Sequence, residues 1–96
     1  MRIIAKKRLD EYAQQHADCA SALNSWYRIA AEAQWAHLDA VRKTYASADA
    51  VGNKTVFNIK GNRYRLITAI HYDKGRIFIR EFLTHAEYDK GDWKAR

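Results

Sequence analysis

A chain of 96 residues, 48% of them hydrophobic and 29% charged, is expected to form a single domain over residues 1–96 with one core. No apolar run approaches the ~20 residues of a membrane span, and no signal-peptide pattern opens the chain. The one cysteine, Cys19, excludes an intramolecular disulfide and a Cys-based zinc site, so a reducing, cytoplasmic setting is expected.

The net charge of +6 is unevenly spread. Residues 1–53 carry seven Lys and Arg against six Asp and Glu, whereas residues 54–96 carry ten against five. A basic half on so small a domain favours a polyanionic partner, most often nucleic acid; a merely soluble basic face is the plainer alternative.

In chain order, Arg2-Ile3-Ile4-Ala5 predicts a short strand near a sheet edge, ending in a basic turn at Lys6-Lys7-Arg8. Leu9, Tyr12, Ala13 and His16 then recur at helical spacing on one face, with His16 read as a core-edge or helix-end residue. Asp18 is expected to cap a second helix whose apolar stripe runs through Ala20, Leu23, Tyr27, Ala30 and Ala31, widened by Trp26 and Trp35. A third, shorter helix is expected between Trp35 and Tyr45. Residues 47–53 read as the connection into a sheet.

Thr55 to Ile59 predicts a strand, with Val56 alternating against Phe57 and Ile59. Gly61-Asn62 signals a two-residue hairpin turn. The next strand, Arg63 to Tyr72, places Arg63, Arg65, Ile67, Ala69 and His71 on one face. Asp73-Lys74-Gly75 makes a second turn. A third strand, Arg76 to Leu83, puts Phe78, Arg80 and Phe82 on one face, opposite Ile77, Ile79 and Glu81. The expected fold class is therefore α+β, an antiparallel sheet covered on one face by the N-terminal helices. Thr84-His85-Ala86-Glu87 fits a capping box opening a short C-terminal helix, with His85 in its first turn and Tyr88 three residues on. The tail 92–96 carries no assignment.

A helix N-terminus at a strand end offers N–H groups and a positive dipole to an anion, and that dipole favours a neutral His85 able to act as a base. Arg63, Arg65 and Arg80 can clamp phosphates with their guanidinium forks. With Lys54 and Tyr88, and with Lys60 adding charge, the set suits phosphoryl transfer within RNA, in which a 2′-hydroxyl needs a base, the phosphate a cation and the leaving 5′-oxygen an acid. Histidines 16, 37, 71 and 85 lack ligand spacing, so no metal or other cofactor is expected. The plainer reading leaves these arginines to edge solubility and His85 to a helix start.

The run VFNIKGNRYRLI, the strand IREF and the close THAEYD resemble the HigB family of bacterial toxins, in the RelE/ParE superfamily, over roughly Asn53 to Asp89. The resemblance implies a small RelE-like fold and a ribosome-dependent mRNA interferase that cuts mRNA in the ribosomal A site by 2′-hydroxyl attack. It implies as partners the ribosome, mRNA and a HigA-type helix-turn-helix antitoxin, through which alone the chain would meet operator DNA. Lys54, Asn58, Asn62, Arg63, Arg65 and Arg80 match the family's polar and basic sheet positions, and Thr84, His85 and Tyr88 match its THxEY-like close. The motif does not state individual roles; from their chemistry, His85 is assigned as general base or acid, with Lys54 the competing choice. Arg65 and Arg80 would stabilise the phosphate, and Tyr88 would orient or stack the substrate. Lys60, Asn58, Asn62, Arg63 and Thr84 would bind RNA. The competing functions are a non-nucleolytic ParE-like toxin and a plain RNA-binding module.

Overall fold

The β-branched runs of the second half form the expected meander. β3 (Lys54–Ile59), β4 (Tyr64–His71) and β5 (Arg76–Thr84) pair antiparallel in sequence order in the computed structural model, which describes residues 1–95. Two edges are added. β1 (Arg2–Ile4) runs parallel to β5, with Ile3 opposite Ile77, so the antiparallel description holds for the other strands but not for this one. Asp49–Val51, expected to be part of a connection, is a strand, β2, that turns at Gly52-Asn53 and pairs with β3. Its three residues gain strand geometry only from the ladder beside them, which a local pattern does not reveal. The order across the sheet is β1-β5-β4-β3-β2.

Two expected turns differ in detail. Ile59 faces Tyr64, so the first hairpin loop spans residues 60–63 rather than two. Lys60 and Gly61 both take positive φ, +53° and +63°, which lets the loop follow the sheet twist. The second turn is a 3-10 turn at Tyr72–Lys74 closed by Gly75 at φ +64°.

Helices α1 (Lys6–Gln15), α2 (Ala20–Glu32) and α3 (Leu38–Thr44) cover one face. The basic run Lys6-Lys7-Arg8 is the first turn of α1 rather than a loop. Leu9, Leu23, Trp26, Ala30, Trp35 and Val41 meet Phe57, Ile59, Leu66, Ile77 and Ile79 in the main core. Phe57 is its hub: Trp26 and Tyr45 approach it edge-on at 5.3 and 5.5 Å, and Trp35 stacks at 6.1 Å. His16 ends α1 and leans on Tyr64 and Phe82, as its place on the stripe suggests.

Asp18 does not cap α2. Cys19 holds the N-cap position without a side-chain bond. The Asp18 carboxylate instead accepts from the Tyr64 hydroxyl at 2.9 Å and lies 3.4 Å from Lys60 and 3.7 Å from Arg63. A phenol and two cations from the β3–β4 turn outcompete one backbone N–H.

The alternation expected along β5 fails at Arg80. Ile67 pairs with Glu81 and Thr68 with Ile79, so Arg80 is an extra residue, a β-bulge. The phase shifts by one there, and Phe82 joins Ile77 and Ile79 in the helix-side core instead of sharing a face with Arg80.

The opposite face is half covered by the C-terminus. α4 (His85–Lys90) and the 3-10 turn Asp92–Ala95 fold back, burying Trp93 against Val56, Ile67 and Leu83. The Trp93 ring stacks on Tyr88 at 5.1 Å, and its Nε1 donates to the Tyr88 carbonyl at 3.0 Å.

Candidate active site

The residues singled out for chemistry fall in two separate groups, one at the β3–β4 turn and the start of α4, the other at the far end of the sheet. Strand register sets the spacing. Asn58, Arg65 and Leu83 lie side by side near the β3–β4 turn, and Val56, Ile67 and Glu81 one row further on. Lys54 begins β3 at the far end, about 17 Å from Ile59 at ~3.4 Å per residue.

At the turn end, the capping box forms in full. The Thr84 N–H donates to Glu87 Oε1 at 2.9 Å, and the Glu87 N–H to Thr84 Oγ1 at 3.2 Å. The backbone bond to Thr84 is the main cause holding the Glu87 carboxyl below its ordinary value. His85 is thereby held at the first helical position, its N–H donating to the Arg63 carbonyl at 2.9 Å. These bonds occupy two N–H groups of a six-residue helix and bring a carboxylate to its start, so the anion site expected there is not open.

The imidazole is 46% exposed, with Nδ1 3.1 Å from Asp89 Oδ2 one turn later. That arrangement orients the ring and leaves Nε2 for a substrate proton. Arg63, whose carbonyl receives the His85 N–H, is 69% exposed and Lys60 is 40% exposed at the turn, both side chains tethered by Asp18. The Tyr64 hydrogen bond is the largest cause lowering the Asp18 carboxyl, and the same bond raises the Tyr64 phenol.

Arg65 is engaged within the fold. Only 8% exposed, it donates through Nη1 to the carbonyls of Asn62 and Tyr64, at 3.0 and 3.2 Å, and through Nη2 to Asn62 Oδ1. Its guanidinium lies 5.3 Å from the centre of the Tyr88 ring. Arg65 and Asn62 therefore brace the hairpin turn and seat Tyr88, whose half-buried phenol is held above its ordinary value chiefly by burial. Asn58 is half-buried beside Arg65.

Lys54 and Arg80 lie in the second group. They line a groove of about 430 Å³ with Arg8, Asn53, Ala69 and Glu81. The bulge directs Arg80 there, and Arg8 of α1 donates through Nη1 to the carbonyls of Ile79 and Arg80, at 3.1 and 2.9 Å. His85 and Lys54, rival choices for one role, thus belong to different places.

Sequence reasoning missed Asp89, Asp18 and Arg8. Asp89 was legible, since it follows His85 by one helical turn. The other two depend on long-range packing. Among the described residues no group of three or more His, Cys, Asp or Glu is placed to hold a metal ion.

A family model described as HigB toxin, the RelE-like toxic component of a toxin–antitoxin system, matches residues 19–91. The chain is 31% identical to an mRNA interferase HigB of Escherichia coli O6:H1 over 93 residues, covering 94% of this chain and 90% of that protein. It is 25% identical to the mRNA interferase toxin HigB of Escherichia coli K12 and to an mRNA interferase HigB of Shigella flexneri, covering 93% of this chain and 88% of either relative.

Proposed function

Because this chain belongs to the HigB family, the toxic component of toxin–antitoxin systems, we propose that it is an mRNA interferase, an endoribonuclease that cuts mRNA on the ribosome, in the cytoplasm. The family carries an antitoxin partner with it. That antitoxin is of the HigA helix-turn-helix type, and operator DNA is met only through the toxin–antitoxin complex.

The observation that carries the reading is the His85–Asp89 pair, its backbone bonded to the basic β3–β4 turn that carries Arg63 and Lys60. His85 Nε2 takes the proton of a 2′-hydroxyl, the 2′-oxygen bonds to the neighbouring phosphorus, and the bond to the 5′-oxygen breaks. A proton returned to that oxygen releases a 5′-hydroxyl and leaves a 2′,3′-cyclic phosphate. Lys60 and Arg63 offset the charge that builds on the phosphoryl oxygens. Asp89 holds the imidazole, and Tyr88, its ring flanked by Trp93 and Arg65, orients the substrate by its exposed edge. Arg65, Asn62 and Thr84 are positioning residues that hold the turn, Tyr88 and His85 in place, and Asn58 lies beside Arg65 where RNA would pass.

Primer extension on mRNA after brief induction without antitoxin tests the reading. Codon-phased cuts are expected from the wild type, none from His85→Ala, and weaker cuts from Asp89→Asn. Purified toxin should cut mRNA on ribosomes and leave the same RNA intact when free. Growth arrest with intact mRNA would replace the nuclease by a non-nucleolytic toxin of the same fold, and cuts that survive His85→Ala would move the base elsewhere.

A further inference from the structure

The groove at the other end of the open face lies apart from His85, yet it is built. A β-bulge places Arg80 there, exposed, with its guanidinium over the Phe78 ring at 5.8 Å. Bulges commonly re-aim a side chain at a functional surface. Arg8 is brought from α1 by two bonds to the bulge carbonyls, which engage Nη1 alone of a group with five N–H donors. Lys54 and Asn53 complete the lining from the β2–β3 turn and the start of β3. Among the described residues, three cations therefore converge on one cavity of about 430 Å³ whose lining includes one carboxylate, Glu81. Three cations from three separate elements exceed what keeping one sheet edge soluble requires.

We propose that this groove of Arg8, Lys54 and Arg80 is a second RNA site, binding a backbone phosphate remote from the one that reacts. The inference rests on the nuclease reading for its partner, RNA, but not on which residue is the base. The groove lies about 17 Å from the turn end along β3, the span of roughly five stacked nucleotides at ~3.4 Å each. A strand passing over the outer side of α4 and the Trp93 turn would reach both places. The phosphodiester belongs either to the message or to ribosomal RNA, and the chemistry of recognition is the same. Glu81 sets the groove's net charge and opposes the phosphate.

The test uses the full-length His85→Ala chain, so that RNA survives the titration, and fluorescence anisotropy with labelled single-stranded RNAs of ten and three nucleotides across a salt series. Arg80→Gln and Lys54→Gln should each weaken the ten-nucleotide RNA severalfold and make its salt slope shallower by about 0.7, leaving the three-nucleotide RNA unaffected. Glu81→Gln should shift affinity the other way. Weakened binding to purified ribosomes with an unchanged free-RNA slope would support the same groove and assign the phosphate to ribosomal RNA. Unchanged binding in both assays, for variants shown folded by circular dichroism, overturns the proposal. Should one variant fail to fold, the other carries the test. Cleavage by chains retaining His85 is read separately, so loss of the groove and loss of the nuclease reading are told apart.

Discussion

Arg65 and Arg80 stand on neighbouring strands of one sheet, and in sequence they look interchangeable. In the structure they are opposites. Arg65 is buried under Tyr88 with three acceptors around its fork, and the turn that carries Lys60 and Arg63 is braced by it. Arg80 stands out of register on a bulge and faces solvent over a groove. A buried guanidinium is tolerated only when its donors are met, and then it acts as structure; an exposed one keeps its charge available for a ligand. The same contrast separates the two ends of the open face, one closed by α4 and Trp93, the other left open.

Removing the closure should have the largest effect. Trp93→Ala is expected to cost about 3–5 kcal/mol, because a large buried ring leaves a cavity over Val56, Ile67 and Leu83. Urea unfolding measures it, and a loss under 1 kcal/mol would mean that the tail does not close that end. Next come the arginines themselves. Arg65→Ala should cost about 2 kcal/mol by stranding the carbonyls it satisfies. Arg80→Ala should stay within about 0.5 kcal/mol of wild type. Equal losses would erase the distinction drawn between them.

Smaller still is Thr84→Ala, expected to cost about 1 kcal/mol through the lost cap and to slow cleavage by loosening His85. Cleavage unchanged at that loss of stability would separate the cap from the site.

The subtlest effect is on pH. The Tyr64–Asp18 bond lowers the Asp18 carboxyl and raises the Tyr64 phenol. With the folded carboxyl below its ordinary 3.8, this contribution is complete above that value and lost as pH falls through the lower folded one. With the folded phenol above 10.0, the contribution is complete below that value and lost as pH rises through the higher folded one. Tyr64→Phe should therefore flatten both limbs of the stability–pH curve, and limbs that persist would assign them to other groups.

What could be read from the chain alone were features whose causes lie within a few residues. The strand Thr55–Ile59 shows in its side-chain alternation, the hairpins in Gly61 and Gly75, and the start of α4 in the Thr84–Glu87 reciprocity, since each is a local preference of backbone or cap. His85 was placed at its helical position by that same reciprocity, and the basic character of the second half was plain from composition. Tertiary structure alone decided the rest. Nothing near Arg80 announces a bulge, because the extra residue exists only against the register of β4. Asp18 leaves its helix for a phenol 46 residues away, Arg8 reaches carbonyls more than 70 residues on, and Trp93 turns a charged tail into a lid. Each is a contact between distant segments, and only burial and pairing in the folded chain determine which partner wins.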